Sequence, residues 1–167
     1  MVVIVIGVLV LVAFQGGFSF SPGTPSGGTA PTADVQGGFS TADRLTGFPV
    51  AIPKGLPSTW HGSSFSLTPA PGTPDAPPTV RGGWQTPTGS YITLIESSGS
   101  LTAVLAAELG QTDGSSTGSV TVGSAQWSIS PGVRNEVAWS RTSSGVSLLI
   151  TGNATVAEFT QLAAAVA

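Results

Sequence analysis

The chain contains no cysteine. Disulfides, thiolate zinc sites, iron–sulfur clusters, cysteine nucleophiles and a lipidated cysteine anchor are thereby excluded. Charge is almost as scarce, at 8% Asp, Glu, Lys and Arg against roughly 25% in an ordinary soluble domain. Five basic residues are spread thinly through a chain of net charge -3, too few to neutralise a run of phosphates, so a nucleic-acid partner is not expected. There is one histidine, His61. It has no local nucleophile or orienting carboxylate for triad chemistry, and a histidine zinc site needs further ligands. No metal and no cofactor are expected.

What the chain has in abundance is Gly (23) and Pro (13), with much Ser and Thr, and one apolar run at its start. Residues 1–14 read MVVIVIGVLVLVAF, eleven of them Val, Ile, Leu or Phe. Each such residue favours insertion by ~0.3–0.6 kcal/mol near a bilayer centre. Fourteen helical residues reach only ~21 Å, and extension to Phe20 gives the ~30 Å of a hydrocarbon core. Residues 1–20 therefore read as a transmembrane anchor. A cleaved signal peptide lacks a basic leading region and a clean cleavage site here, and a core strand of this length would be unusual. The first basic residue is Arg44, so flanking charge does not set the orientation.

Residues 21–37 form a Gly/Pro/Ser/Thr tract that reads as a flexible linker. The remaining 38–167 read as one extracytoplasmic domain. Ser40 to Asp43 has capping-box spacing and predicts a short helix of about two turns, ended by Gly47 and Pro49. FPVAIPKGLP (48–57), with three prolines, should lie extended with Val50 and Ile52 inward. Strands are predicted over Ser63–Thr68, Thr79–Thr86 and Ser90–Ser97, with loops at Pro69–Pro78 and Gln111–Gly118. The last strand, SYITLIES, is apolar on both faces and is the expected sheet centre. A helix is predicted from Leu101 to Leu109, capped by Ser100 and stopped by Gly110. Alternating residues flank Gly123-Ser124 and Ser143-Ser144-Gly145, the marks of two hairpins, the first of type II′. Thr155 and Glu158 form a capping box before the stripe Phe159, Leu162, Ala163 and Val166. The expected fold is α+β: a mainly antiparallel, curved sheet of about six to seven strands with two or three helices on one face, preceded by the transmembrane helix.

Sites of chemistry are few. The carboxylates are scattered: Asp43 and Glu158 read as helix caps, and Asp75 and Asp113 as loop solvation. Glu96 is different, because it ends the most apolar strand, where burial would raise its pKa. Arg81 precedes Gly82-Gly83, a pair that suggests a bulge or a close backbone approach within a strand. Trp127 and Trp139 alternate with polar residues and read as core. Trp60 and Trp84 sit beside Gly and Pro, in positions suited either to packing or to lining a groove. Arg134, Glu136 and Arg141 flank Trp139 and read as local surface pairs. Trp60, His61, Arg81, Trp84 and Glu96 are the candidate ligand or partner surface, and no residue is expected to be catalytic.

The segments FPVAIPKGLPSTW, VRGGWQTPTGSYITLIES, AELG and GSVTVGSAQWSISP, followed by the closing helix, resemble an uncharacterised actinobacterial family, domain of unknown function 4245. The resemblance implies a membrane-anchored protein. It also implies an arginine-containing segment before the hydrophobic helix, which points to a gene start upstream of Met1. It brings no activity, ligand or site residue. The function expected is that of an interaction or accessory module at the cell membrane, facing a membrane or envelope protein. The alternatives are a binding module for an envelope lipid, glycan or peptide and, further off, an enzyme.

Overall fold

The computed structural model describes residues 32–68, 76–111 and 116–167. The anchor at 1–20, most of the linker, Asp75, Asp113 and most of the two loops that carry them lie outside the described residues. Three helices and seven strands follow in the order α1 (Val35–Leu45), β1 (His61–Thr68), β2 (Thr79–Gln85), β3 (Tyr91–Ser97), α2 (Leu101–Leu109), β4 (Gly118–Val122), β5 (Ala125–Pro131), β6 (Val137–Ser143), β7 (Val146–Gly152) and α3 (Val156–Ala165). No helix among the described residues is long and apolar enough to cross a membrane.

The strands make one open sheet in the order β1-β2-β3-β7-β6-β5-β4, with every neighbouring pair antiparallel. Both predicted hairpins form. At the β4–β5 turn Gly123 alone has positive φ (60°), as a type II′ turn needs, whereas at the β6–β7 turn Ser144 (50°) and Gly145 (79°) both do, which is the type I′ pattern. The central strand is β7, with β3 beside it.

The helices do not share a face, contrary to the sequence expectation. Helices α1 and α3 and the extended segment 48–56 cover one side of the sheet over Val80, Trp84, Ile92, Leu94, Trp139, Leu148 and Ile150. Helix α2 covers the other side, where Val104, Leu105 and Leu109 meet Ile95, Ala138 and Leu149. The cause lies in β3 and β7. Both are apolar on alternate and intervening positions, so neither face could be left to water.

Helix α1 also starts earlier than predicted. Asp34 is its N-cap, accepting from the Gly37 N–H at 2.8 Å, and the helix runs from Val35 rather than from Ser40. Gly37 and Gly38 are poor helix formers, but close packing requires a glycine at Gly38, where a Cβ would fall 2.5 Å from the Phe65 ring. The same approach explains Gly82, where a Cβ would meet the Phe39 ring at 2.2 Å. The expected bulge is not at Gly82-Gly83. It is on β1 between Gly62 and Ser64, and the glycine pair keeps regular register with β3.

The remaining caps form as read. Ser100 Oγ accepts from Ala103 N–H and Gly110 closes α2 in the left-handed conformation. Thr155 and Glu158 complete a reciprocal capping box on α3. Burial works against the charge on Glu158, but hydrogen bonds from the Thr155 backbone and the hydroxyls of Thr86, Thr155 and Thr88 hold its carboxyl below the usual range.

Candidate functional site

Residues 48–56 cross the sheet as a strap held by carboxylates. Asp43, expected as a cap, instead accepts from the Val50 N–H at 3.0 Å, and Glu96 Oε2 accepts from the next amide, Ala51, at 2.8 Å. Lys54 N–H donates to the Ala165 carbonyl at 3.0 Å. Prolines at 49 and 53 leave the strap few amides to spare, and three of those it keeps are tied down.

Glu96 is fully buried, at 0% exposure. Its second oxygen, Oε1, has no hydrogen-bond partner. Burial is the main reason its pKa is raised to about 7; the Ala51 amide opposes the shift, nearby Asp43 adds to it, and Arg141 opposes it. The side chain borders a cleft of about 220 Å³ lined by Val50, Ala51, Arg141, Ser143, Ser144 and Leu148, among others.

Arg141 reaches this cleft from β6. In the sheet Glu96 pairs with Leu148, and Leu148 pairs with Arg141. Glu96 and Arg141 therefore flank Leu148 on one row, their Cα atoms about 10 Å apart by strand spacing. They are not ion-paired; the one ion pair among the described residues joins Arg81 to Glu108. Arg141 instead lies with its guanidinium carbon 5.0 Å from the centroid of the Trp127 ring and donates from Nη2 to the Val166 carbonyl at 3.0 Å. Its Nε is buried without a partner. One buried polar atom on each of these two residues thus lacks a protein hydrogen-bond partner beside the same cleft.

The five candidate residues are not gathered in one place. Trp60 and Trp84 are buried in the main core, where Trp84 stacks on Phe39 at 6.0 Å between centroids. Both also border a second cleft of about 240 Å³ with Leu56, Pro57 and Gly62. His61 is exposed at the start of edge strand β1. It is six residues from Leu67, which faces Val80 and through it Glu96, roughly 20 Å by strand rise. Arg81 points to the opposite face, where its Nε donates to Glu108 at 3.0 Å and its Nη1 to Thr68 at 2.8 Å.

Arg141 is not evident as a site residue from the sequence, where it reads with Arg134 and Glu136 as part of a surface pair. The signal lay in its parity: it shares the inward face of β6 with Trp139, an unusual place for an arginine. No group of three His, Cys, Asp or Glu suited to a metal occurs among the described residues.

The fold and cleft define an α+β domain with an open antiparallel sheet covered on both faces, holding a buried carboxyl and a guanidinium in one small cleft. The chain belongs to the family described as Protein of unknown function (DUF4245), whose model matches residues 1–166. Comparison with curated proteins gives no match, and comparison with solved structures gives none.

Proposed function

We propose that the chain is a single-pass, membrane-anchored module whose domain faces away from the cytoplasm and serves as an interaction or accessory unit for a membrane or envelope protein. The observation that carries the docking role is the pair of unsatisfied buried atoms, Glu96 Oε1 and Arg141 Nε, at one cleft. Leaving such groups unpaired is costly, which sets this cleft apart from the rest of the packed face. Binding suits this arrangement better than reaction, because His61 is far along the sheet and no third titratable side chain lines the cleft. The anchor rests on the uncharged apolar run of residues 1–20.

The test is crosslinking of the full chain in its native membrane, with a photoreactive residue replacing Ser144 at the cleft rim. Capture of one specific envelope protein is expected. A chain that stays in the soluble fraction, or that migrates alone in mild detergent with no adduct, overturns the proposal. A second reading, a binding module for an envelope peptide, glycan or lipid, draws on the cleft bordered by Trp60 and Trp84.

A further inference from the structure

We propose that β4 is a docking edge for a second copy of this chain, the two β4 strands pairing antiparallel about a twofold axis at Val120 to join two sheets into one. This goes beyond the docking role above and does not depend on it. Strand β4 ends the sheet on one side. It reads GSVTV and keeps regular register with β5 along its length. The two-residue turn at Gly123-Ser124 makes Val122 and Ala125 a hydrogen-bonded pair, and the pattern alternates from there. Val120 therefore turns its backbone groups to Trp127, whereas Ser119 and Thr121 turn their N–H and C=O groups to the open side. Those groups have no partner among the described residues, and both residues are exposed.

Open edges are usually blunted by charge, proline or a bulge. No charged residue lies between 118 and 131. Helix α3, which packs on β4, exposes Ala157, Thr160, Gln161 and Ala164 and buries its one charged side chain, Glu158. The opposite edge is built differently. Strand β1 carries the bulge between Gly62 and Ser64, and its Gly62 carbonyl already accepts from the Ala33 N–H at 2.8 Å. One open and one blunted edge favour a closed twofold pair over an endless row of sheets. The sequence of β4 also fits itself. With Val120 opposite Val120, each Ser119 faces the Thr121 of the second copy, and the two exchange both backbone hydrogen bonds. This register overlaps the whole strand. The half-buried valines meet on the face covered by α3, hydroxyls meet hydroxyls on the other, and no like charges oppose each other. A five-residue edge is a small interface, so the pair is weak in dilute solution.

The experiment is disulfide trapping of the full chain in mild detergent, which the absence of native cysteine makes clean. Chains carrying Val120→Cys should link to one another at least ~10-fold faster than chains carrying Ser128→Cys on β5 or Ser66→Cys on β1, because only the first bring two sulfurs within bonding reach. Ser119→Cys and Thr121→Cys chains should link to each other when mixed, and far more slowly to themselves, since the self-pairs stand ~7–8 Å apart on the diagonal. Thr121→Pro, added to the Val120→Cys chain, removes an N–H that β4 does not use towards β5, a change an edge strand tolerates. It should slow the link roughly tenfold, the effect of two backbone bonds lost per dimer. The native chain gives a readout that needs no substitution. Hydrogen exchange of the Ser119 and Thr121 amides should slow as concentration rises, while that of Thr88, in a distant turn, stays constant. Equal linking rates at every position, or exchange at Ser119 and Thr121 that ignores concentration, overturns the inference. Protection of those two amides only on addition of a membrane extract, with no Val120→Cys dimer, assigns the edge to a foreign strand and overturns it as well.

Discussion

The two faces of the sheet handle charge in opposite ways. On the face covered by α2, Arg81 and Glu108 pair directly, each partly open to water at 31% and 18% side-chain exposure, and Thr68 shares the guanidinium. On the face covered by α1, the strap and α3, Glu96 is shut off from bulk solvent, forms no salt bridge and has one oxygen without a protein partner. Nearby Asp43 makes its charge harder to hold, and Arg141 eases it only from across Leu148. A chain with so little charge has spent it very unevenly. The open face holds a pair that satisfies itself, while the deep face buries a carboxyl oxygen and a guanidinium nitrogen without a protein hydrogen-bond partner.

The face packing sets the largest expected effect. Phe39 is fully buried, meets the Phe65 and Trp84 rings and fills the space above Gly82. Phe39→Ala should cost about 3–5 kcal/mol, because a glycine floor cannot collapse into the hole. On the other face Leu109→Ala, at the end of the nine-residue α2, should lie nearer 2 kcal/mol, the low end for leucine. Urea denaturation of both variants checks the contrast. Equal losses would show that the two faces are equally strong cores.

The next effect is a pH dependence specific to the deep face. Burial raises the Glu96 pKa in the folded chain to about 7, above the 4.5 of a freely solvated glutamate. Between those values the folded form keeps a proton that the unfolded chain has released. Stability from this group is therefore complete below about pH 4.5 and is lost as pH rises through 7. The shift corresponds to about 3 kcal/mol. Glu158 has its pKa lowered and works the other way, stabilising above the ordinary carboxylate range and losing that contribution as pH falls. Urea midpoints at pH 5 and pH 8 should drop towards pH 8 in the native chain and should stay level in Glu96→Gln. A native chain equally stable at both values would mean that Glu96 is solvated or paired.

Much of this arrangement is legible in the residues. The capping box of Thr155 and Glu158, the Ser100 and Gly110 caps, the turn residues and the alternation at 120–129 and 137–150 are local signals, and each of those elements forms, whereas the capping-box spacing at Ser40 to Asp43 misleads, because Asp34 caps that helix. SYITLIES declares burial on both faces, which in turn explains why α2 crosses to the far side. Glu96 stands out because a carboxylate in an apolar strand is a local conflict. Only the start of helix α1 is hidden, because Gly37-Gly38 speak against a helix on propensity, and the Phe65 ring that packs against Gly38 is far along the chain. Arg141 was hidden for a related reason. Its meeting with Glu96 depends on β3 pairing with β7, a long-range register that no spacing within either segment announces.

The smallest effect belongs to the pair that satisfies itself. Arg81 reaches Glu108 through two guanidinium nitrogens and Thr68 through a third, a geometry more ordered than most surface pairs. Both groups nevertheless keep contact with water, so their attraction is screened and much of it is offset by the cost of holding two long side chains in place. A double-mutant cycle of Arg81→Met and Glu108→Gln should give a coupling of about 0.2–1 kcal/mol that shrinks in 0.5 M salt. Part of any loss in the single Arg81 variant should persist at high salt, because the arginine stem also lines the cavity beneath α2 with Ala103, Val104 and Ala107. A coupling well above 1 kcal/mol that ignores salt would mean that this pair is shielded like the groups on the deep face. The contrast between the two faces would then rest on the missing partner of Glu96 and not on the depth at which each charge lies.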